Sequence, residues 1–209
     1  MKIRNQSSCL AALILAVGLF ATTFRASGAA FSLSINESNP SAVVITGSGY
    51  SSSGSDGTTT ANFGVDLANF FTSAVSIGIQ SASGTPSLKP ATGGNIYNYY
   101  SSDNYKATGG ALLDLNLYSS GTSAQTFTSG SAAFNTGTEV IDLSAYLADL
   151  PTTLYASGNI YSGDSSDPGN GTVIGSWQVT AVPAPVPEPT TLALAGLGGL
   201  SLLLIRRRK

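Results

Sequence analysis

Histidine is absent from the 209 residues, and cysteine occurs once, as Cys9. Without imidazole the chain holds no Ser-His-Asp triad, no His-ligated zinc and no histidine proton shuttle. Cys9 precedes the first apolar run, whereas a lipoprotein cysteine follows that run and begins the mature chain, so lipid attachment there is excluded. A body without cysteine needs no disulfide and gives no indication of redox compartment. Positive charge is scarce in the middle of the chain. Between residues 31 and 186 only Lys89 and Lys106 face ten acids (Glu37, Asp56, Asp66, Asp103, Asp114, Glu139, Asp142, Asp149, Asp164 and Asp167), a balance of −8 where the whole chain carries −2. A body that acidic repels a phosphate backbone, which excludes nucleic acid as a partner.

The remaining cations sit at the two ends. Lys2 and Arg4 precede an apolar stretch from Leu10 to Phe20, and small residues follow around Ser27-Gly28-Ala29-Ala30. This is the pattern of a secretory signal peptide over residues 1–30, handled by the general secretion machinery and cut by signal peptidase.

At the other end Pro183, Pro185, Pro187 and Pro189 alternate with small residues and Glu188, which favours an extended, solvated linker over 183–189. Thr190 to Ile205 then carries no charge, and Arg206, Arg207, Arg208 and Lys209 stop the run. As a helix these 16 residues would reach about 24 Å, short of the roughly 30 Å bilayer core but able to span with local thinning or snorkelling. The basic cluster would then lie on the cytoplasmic side and the body outside. Pro187-Glu188-Pro189, the short apolar segment and the basic stop, in that order over 187–209, resemble the PEP-CTERM family of sorting signals. The resemblance implies handling by an exosortase, a membrane transpeptidase-like enzyme of Gram-negative bacteria. It further implies cleavage near the Pro-Glu-Pro motif and delivery to the cell surface or an exopolysaccharide matrix. The tail would be a temporary anchor, in the manner of other C-terminal signals that are removed.

Within 31–182 the periodicity is two. Phe31, Leu33 and Ile35; Phe63, Val65 and Leu67; Val75, Ile77 and Ile79; Leu113, Leu115 and Leu117; and Val173, Trp177 and Val179 each share a parity, with polar or small residues between. Such alternation marks strands with one buried and one wet face. Val43-Val44-Ile45 and Leu154–Tyr161 are weaker strand candidates, and Asp142, Leu143, Tyr146, Leu147 and Leu150 have helical spacing before Pro151. Gly, Ser, Asn and Asp clusters separate the runs. The expected fold class is all-β: an antiparallel β-sandwich of jelly-roll type, flanked by an N-terminal signal helix and a C-terminal transmembrane helix. The body itself resembles no known family.

Four tyrosines, Tyr97, Tyr99, Tyr100 and Tyr105, lie among amides and Asp103. Exposed, their rings would stack on sugar faces, making this the candidate polysaccharide contact; as a strand, they would instead cover a sheet face. Asp164–Gly171 offers several oxygens but departs from the calcium-loop pattern, so it reads as a turn, and no metal or cofactor site is expected. Glycoside hydrolysis needs only two carboxylates, and Asp103, Asp114, Glu139 and Asp142 are available. Their positions beside serine and glycine, or on the wet parity of strands, read as solvated charge, so no catalytic residue is assigned. The functional expectation is a non-enzymatic, exported surface or matrix protein associated with exopolysaccharide. A secreted carbohydrate-active enzyme and a purely structural surface protein are the alternatives.

Overall fold

The computed structural model describes residues 31–58, 64–104, 111–121, 124–163 and 171–184. The signal segment 1–30, Tyr105, most of the Asp164–Gly171 turn, Pro187-Glu188-Pro189, the apolar run 190–205 and Arg206–Lys209 lie outside them. Twelve strands are seen among the described residues: β1 (Leu33–Asn36), β2 (Val43–Gly47), β3 (Asp56–Thr58), β4 (Gly64–Leu67), β5 (Gln80–Ser81), β6 (Thr92–Gly93), β7 (Tyr99–Asp103), β8 (Asp114–Tyr118), β9 (Gln125–Phe127), β10 (Thr138–Ile141), β11 (Ser157–Ser162) and β12 (Val173–Ala181). Among the described residues no helix is long and apolar enough to cross a membrane.

Nine strands form one sheet in the order β10-β2-β1-β12-β11-β4-β8-β7-β5. Its two edges come together, because Ser83, just beyond β5, bridges Val140 of β10. The Ser87 and Leu88 amides add bonds to the Thr138 carbonyl oxygen at 2.7 and 3.0 Å. The sheet is therefore nearly a barrel. The all-β class holds, but the expected jelly-roll-type sandwich is not confirmed, and the pairing is not wholly antiparallel. β1 and β12 run parallel, with Leu33 beside Trp177 and Ile35 beside Val179. Closure disposes of the unpaired edges that an open nine-stranded sheet would expose.

The interior is filled by the apolar parity of each strand. Leu33 and Ile35 from β1, Val43 and Ile45 from β2, Val65 and Leu67 from β4, and Leu115 and Leu117 from β8 are all fully buried. β12 departs from the simple alternation. The register skips Ile174, with Ile160 opposite Gly175 but Tyr161 opposite Val173. This bulge turns Ile174 inward and leaves Val173 half-buried, so the expected inward Val173 is replaced by its neighbour.

Each end of the barrel has its own closure. A small sheet, β3-β9-β6, covers the end where β12 begins, where the Ser53 amide donates to the Ile174 carbonyl at 3.1 Å. Its inner face delivers Gln125 and Phe127 to the core, and Phe127 meets Phe134 edge-on at 5.9 Å. Two 3₁₀ turns close the other end. The first, Pro40–Ala42, starts at Asn39, whose side chain accepts from the Ser41 amide. The second, Ser144–Asp149, replaces the helix expected over 142–150: it breaks at Tyr146 (φ −120°, ψ 22°). Leu143 and Leu150 are anchored inside while Leu147 stays exposed, so the segment straddles the rim instead of laying one continuous stripe on the core. The turns are joined by the Leu143 amide donating to Pro40 at 2.8 Å.

Val75–Ile79 forms no strand, although Val75 and Ile77 are buried as their parity requires. The Ile77 amide is taken by the Ser102 hydroxyl (2.8 Å), a side-chain bond that interrupts the backbone ladder to β7.

Candidate functional site

The tyrosine segment divides between core and rim. Tyr97 is fully inside: its hydroxyl donates to Gln125 Oε1 at 3.1 Å, and the Gln125 amide donates to the Gly64 carbonyl at 2.8 Å. Its ring meets Phe134 edge-on at 6.4 Å. Tyr100 is also buried and donates its hydroxyl to the Asp142 carbonyl at 2.9 Å. Neither ring can lie on a sugar, which corrects the assignment of Tyr97 and Tyr100 to a polysaccharide contact. The cause is strand parity together with the inward path of the chain before β7. Tyr99, on the opposite parity, is half-buried and stacks on Tyr118 at 5.8 Å. It is the one member of the set with a partly open face among the described residues.

The acids are not the solvated charges that their neighbours in sequence suggest. Glu37, Asp66, Asp114 and Glu139 have no exposed surface, and Asp103 has little. On the outward face of the sheet, β4 and β8 place Asp66 opposite Asn116, and the Asn116 amide donates to Asp66 at 3.3 Å. On the same face Asp103 of β7 lies directly opposite Asp114 of β8. Asp114 accepts the Asn69 amide at 2.7 Å, supporting the turn after β4 where Asn69 takes a positive φ of 51°. One oxygen of Asp66 and one of Asp114 are thus committed to structural bonds.

Glu37 and Glu139 are different: among the described residues none of their four carboxyl oxygens has a hydrogen-bond partner. Burial alone raises Glu37 from its ordinary value of 4.5 to about 8. The same cause holds Glu139 well above the usual carboxylate range. Glu139 points inward with Ile141 from β10, near Tyr97, whose hydroxyl is held protonated by burial and by that neighbouring acid. A carboxyl with no route to solvent cannot meet a substrate, so Glu139 leaves the list of catalytic candidates. The converse holds for Asp142. It is exposed, and its carboxylate is stabilised by the Ser144 hydroxyl and amide, which lowers its pKa. The four acids available for glycoside hydrolysis therefore occupy three separate environments: an outward pair, an interior and a rim. Among the described residues no group of three acids, cysteines or histidines could hold a metal.

One open concavity lies at the chain-exit end, lined by Leu147, Leu150, Pro151, Thr152, Val182, Pro183 and Ala184, with a volume of about 370 Å³. None of these residues is ionisable, so the groove offers apolar contact and no acid–base chemistry. The sequence reading missed both this groove and the interior acids. Glu139 carried a signal, since it shares the parity of Ile141. The groove carried none, because its walls come from segments 30 or more positions apart in the chain.

No protein of curated function and no solved structure matches the chain. Residues 185–209, which begin directly after this groove, match the PEP-CTERM protein-sorting motif. That tail makes the chain an exported protein, anchored as a precursor and sorted to the cell surface by an exosortase.

Proposed function

We propose that this chain is a non-enzymatic surface or matrix protein whose barrel resides among extracellular polysaccharide. The observation that carries the reading is the sorting motif placed immediately after a closed, acidic β body. The signal peptide at 1–30 starts export through the general secretion machinery. In this reading the uncharged run from Thr190 to Ile205 anchors the precursor in the inner membrane, Arg206–Lys209 hold it from the cytoplasmic side, and exosortase cuts near Pro187-Glu188-Pro189. The bridged seam of the large sheet supports a discrete body over a strand-added polymer. The uncharged groove and the dispersed acids favour binding or residence over catalysis.

Intact-mass measurement of the protein recovered from the cell surface tests the sorting step. A mature mass lacking the residues beyond the Pro187 region supports it; retention of Arg206–Lys209 would leave a permanent anchor instead. Co-sedimentation with the exopolysaccharide of the producing cells tests the destination, and complete release of the body into the medium would remove the matrix role.

The enzymatic alternative would have to rest on the Asp103–Asp114 pair across β7 and β8, where Asp114 has no exposed surface and Asp103 little. Exchanging both for Asn and finding unchanged turnover of released polysaccharide would dispose of it.

A further inference from the structure

The surface through which the chain leaves the body is unusually apolar. After β12 ends at Ala181, Val182, Pro183 and Ala184 form one wall of the groove faced by Leu147, Leu150 and Pro151. The loop that follows then presents Leu154 and Tyr155. Six large apolar side chains are exposed among the described residues, and three of them, Leu147, Leu154 and Tyr155, fall within this nine-residue stretch. Tyr155 is more than half exposed and also takes a left-handed φ of 71°, a conformation that costs a bulky residue about 1–2 kcal/mol. Its amide donates to the Val179 carbonyl at 2.9 Å, which ties the Tyr155 backbone to the exit strand.

The tether identifies what meets this face. Five residues, 185–189, separate the groove from the uncharged run beginning at Thr190. They span about 16 Å as polyproline II and at most about 18 Å fully extended. While the precursor is anchored, that reach keeps the exit end of the body close to the headgroup layer, which is roughly 5–8 Å thick on each side of the hydrocarbon. The charged residues of the stretch from 142 to 156 are Asp142 and Asp149, both acids, so attraction to anionic lipid plays no part. We propose that the groove and the Leu147–Leu154–Tyr155 shoulder form a membrane-seating face, whose apolar side chains enter the lipid interface of the membrane that holds the precursor. The inference rests on the anchored-precursor reading and adds an orientation to it. The parallel β1–β12 pair places the start of the body at the far end of the barrel, away from the lipid.

The test uses the full chain with Cys9→Ser, reconstituted in phosphatidylcholine nanodiscs, with single spin labels at Leu154→Cys, Ile79→Cys or Ala195→Cys. Collision with oxygen, which concentrates in lipid, is compared with collision with a water-soluble nickel chelate. The expected result is lipid exposure at 195, water exposure at 79, and at 154 an oxygen-to-nickel ratio several-fold above that at 79. Adding Tyr155→Asp and Leu147→Asp should return position 154 to the value at 79 while the protein stays folded by its unfolding transition. A water-exposed 154 beside a lipid-exposed 195 would overturn the seating face and leave the anchor intact. Shielding of 154 from both reagents would place protein there, the tail or a second copy, and overturn the lipid assignment. Water exposure at 195 would remove the anchored reading, and the inference with it.

Discussion

The Ser83 amide donates to the Val140 carbonyl oxygen at 2.7 Å, and this bond joins the two ends of a nine-stranded sheet. Ser83→Pro removes the donor. The expected cost is about 0.5–1.5 kcal/mol, since the Val140 carbonyl loses its partner at a half-buried seam and the β10 edge is opened. Denaturant unfolding should show a lower midpoint, and size-exclusion chromatography should show concentration-dependent self-association as the edge pairs with other copies. Ser83→Ala keeps the amide and should behave as wild type.

The interior carboxyls make stability depend on pH in the direction opposite to most proteins. Glu37 titrates near 4.5 when unfolded and about 8 when folded, so between those values the folded state holds a proton that the unfolded state has released. Stability is therefore greatest below pH 4.5 with respect to this group and falls as pH rises through 8, by about 1.4 kcal/mol per pH unit while the difference persists. Glu139 acts in the same direction. Urea melts at pH 5 and pH 8 should show the loss, and Glu37→Gln with Glu139→Gln should flatten the profile. A protein more stable at pH 8 would refute the burial of neutral carboxyls.

The two buried tyrosines should behave as core residues. Tyr97→Phe leaves Gln125 Oε1 without its donor inside the protein, at an expected cost of about 1–3 kcal/mol. Tyr97→Ala also opens a cavity beside Phe134, for about 3–5 kcal/mol. Tyr99→Ala should cost less, because the ring is half-exposed and loses mainly its stacking on Tyr118. Thermal unfolding ranks the three. If polysaccharide retention depends on this region, only the Tyr99 change should alter it without lowering stability to match.

Strain at Tyr155 predicts a gain on substitution. Tyr155→Gly relieves the left-handed backbone and should raise stability by up to about 1 kcal/mol. Tyr155→Ala keeps the strain and should not. Comparing the two by thermal melt separates backbone relief from loss of the ring.

Gly64 stands where a side chain has no room, because a Cβ there would overlap the Leu117 carbonyl and the Tyr118 backbone across the β4–β8 ladder. Gly64→Ala should separate these strands and cost more than the typical surface substitution, on the order of 2 kcal/mol or above. Hydrogen exchange should show the loss of protection centred on Leu115–Tyr118.

Much of this protein was decided locally. Alternation at Leu33 and Ile35, Val65 and Leu67, and Leu115 and Leu117 needs only a two-residue period to be read, and those side chains are the ones found inside. The tail was legible for the same reason: Pro187-Glu188-Pro189, an uncharged run and a basic stop form a linear signal, read by machinery that recognises sequence order. What tertiary structure decided is where a strand's second face goes. Asp66 and Asp114 sit on strands whose alternation looks half-wet, but the curled sheet and the segments packed on it leave neither face of β4 or β8 in water. Alternation distinguishes two faces of a strand; it does not say which of them other parts of the chain will cover. The bulge at Ile174, the inward turn of Tyr97 and Tyr100, and the groove at the chain exit belong to the same class. Each depends on contacts between residues far apart in the chain, and sequence spacing carries no measure of those.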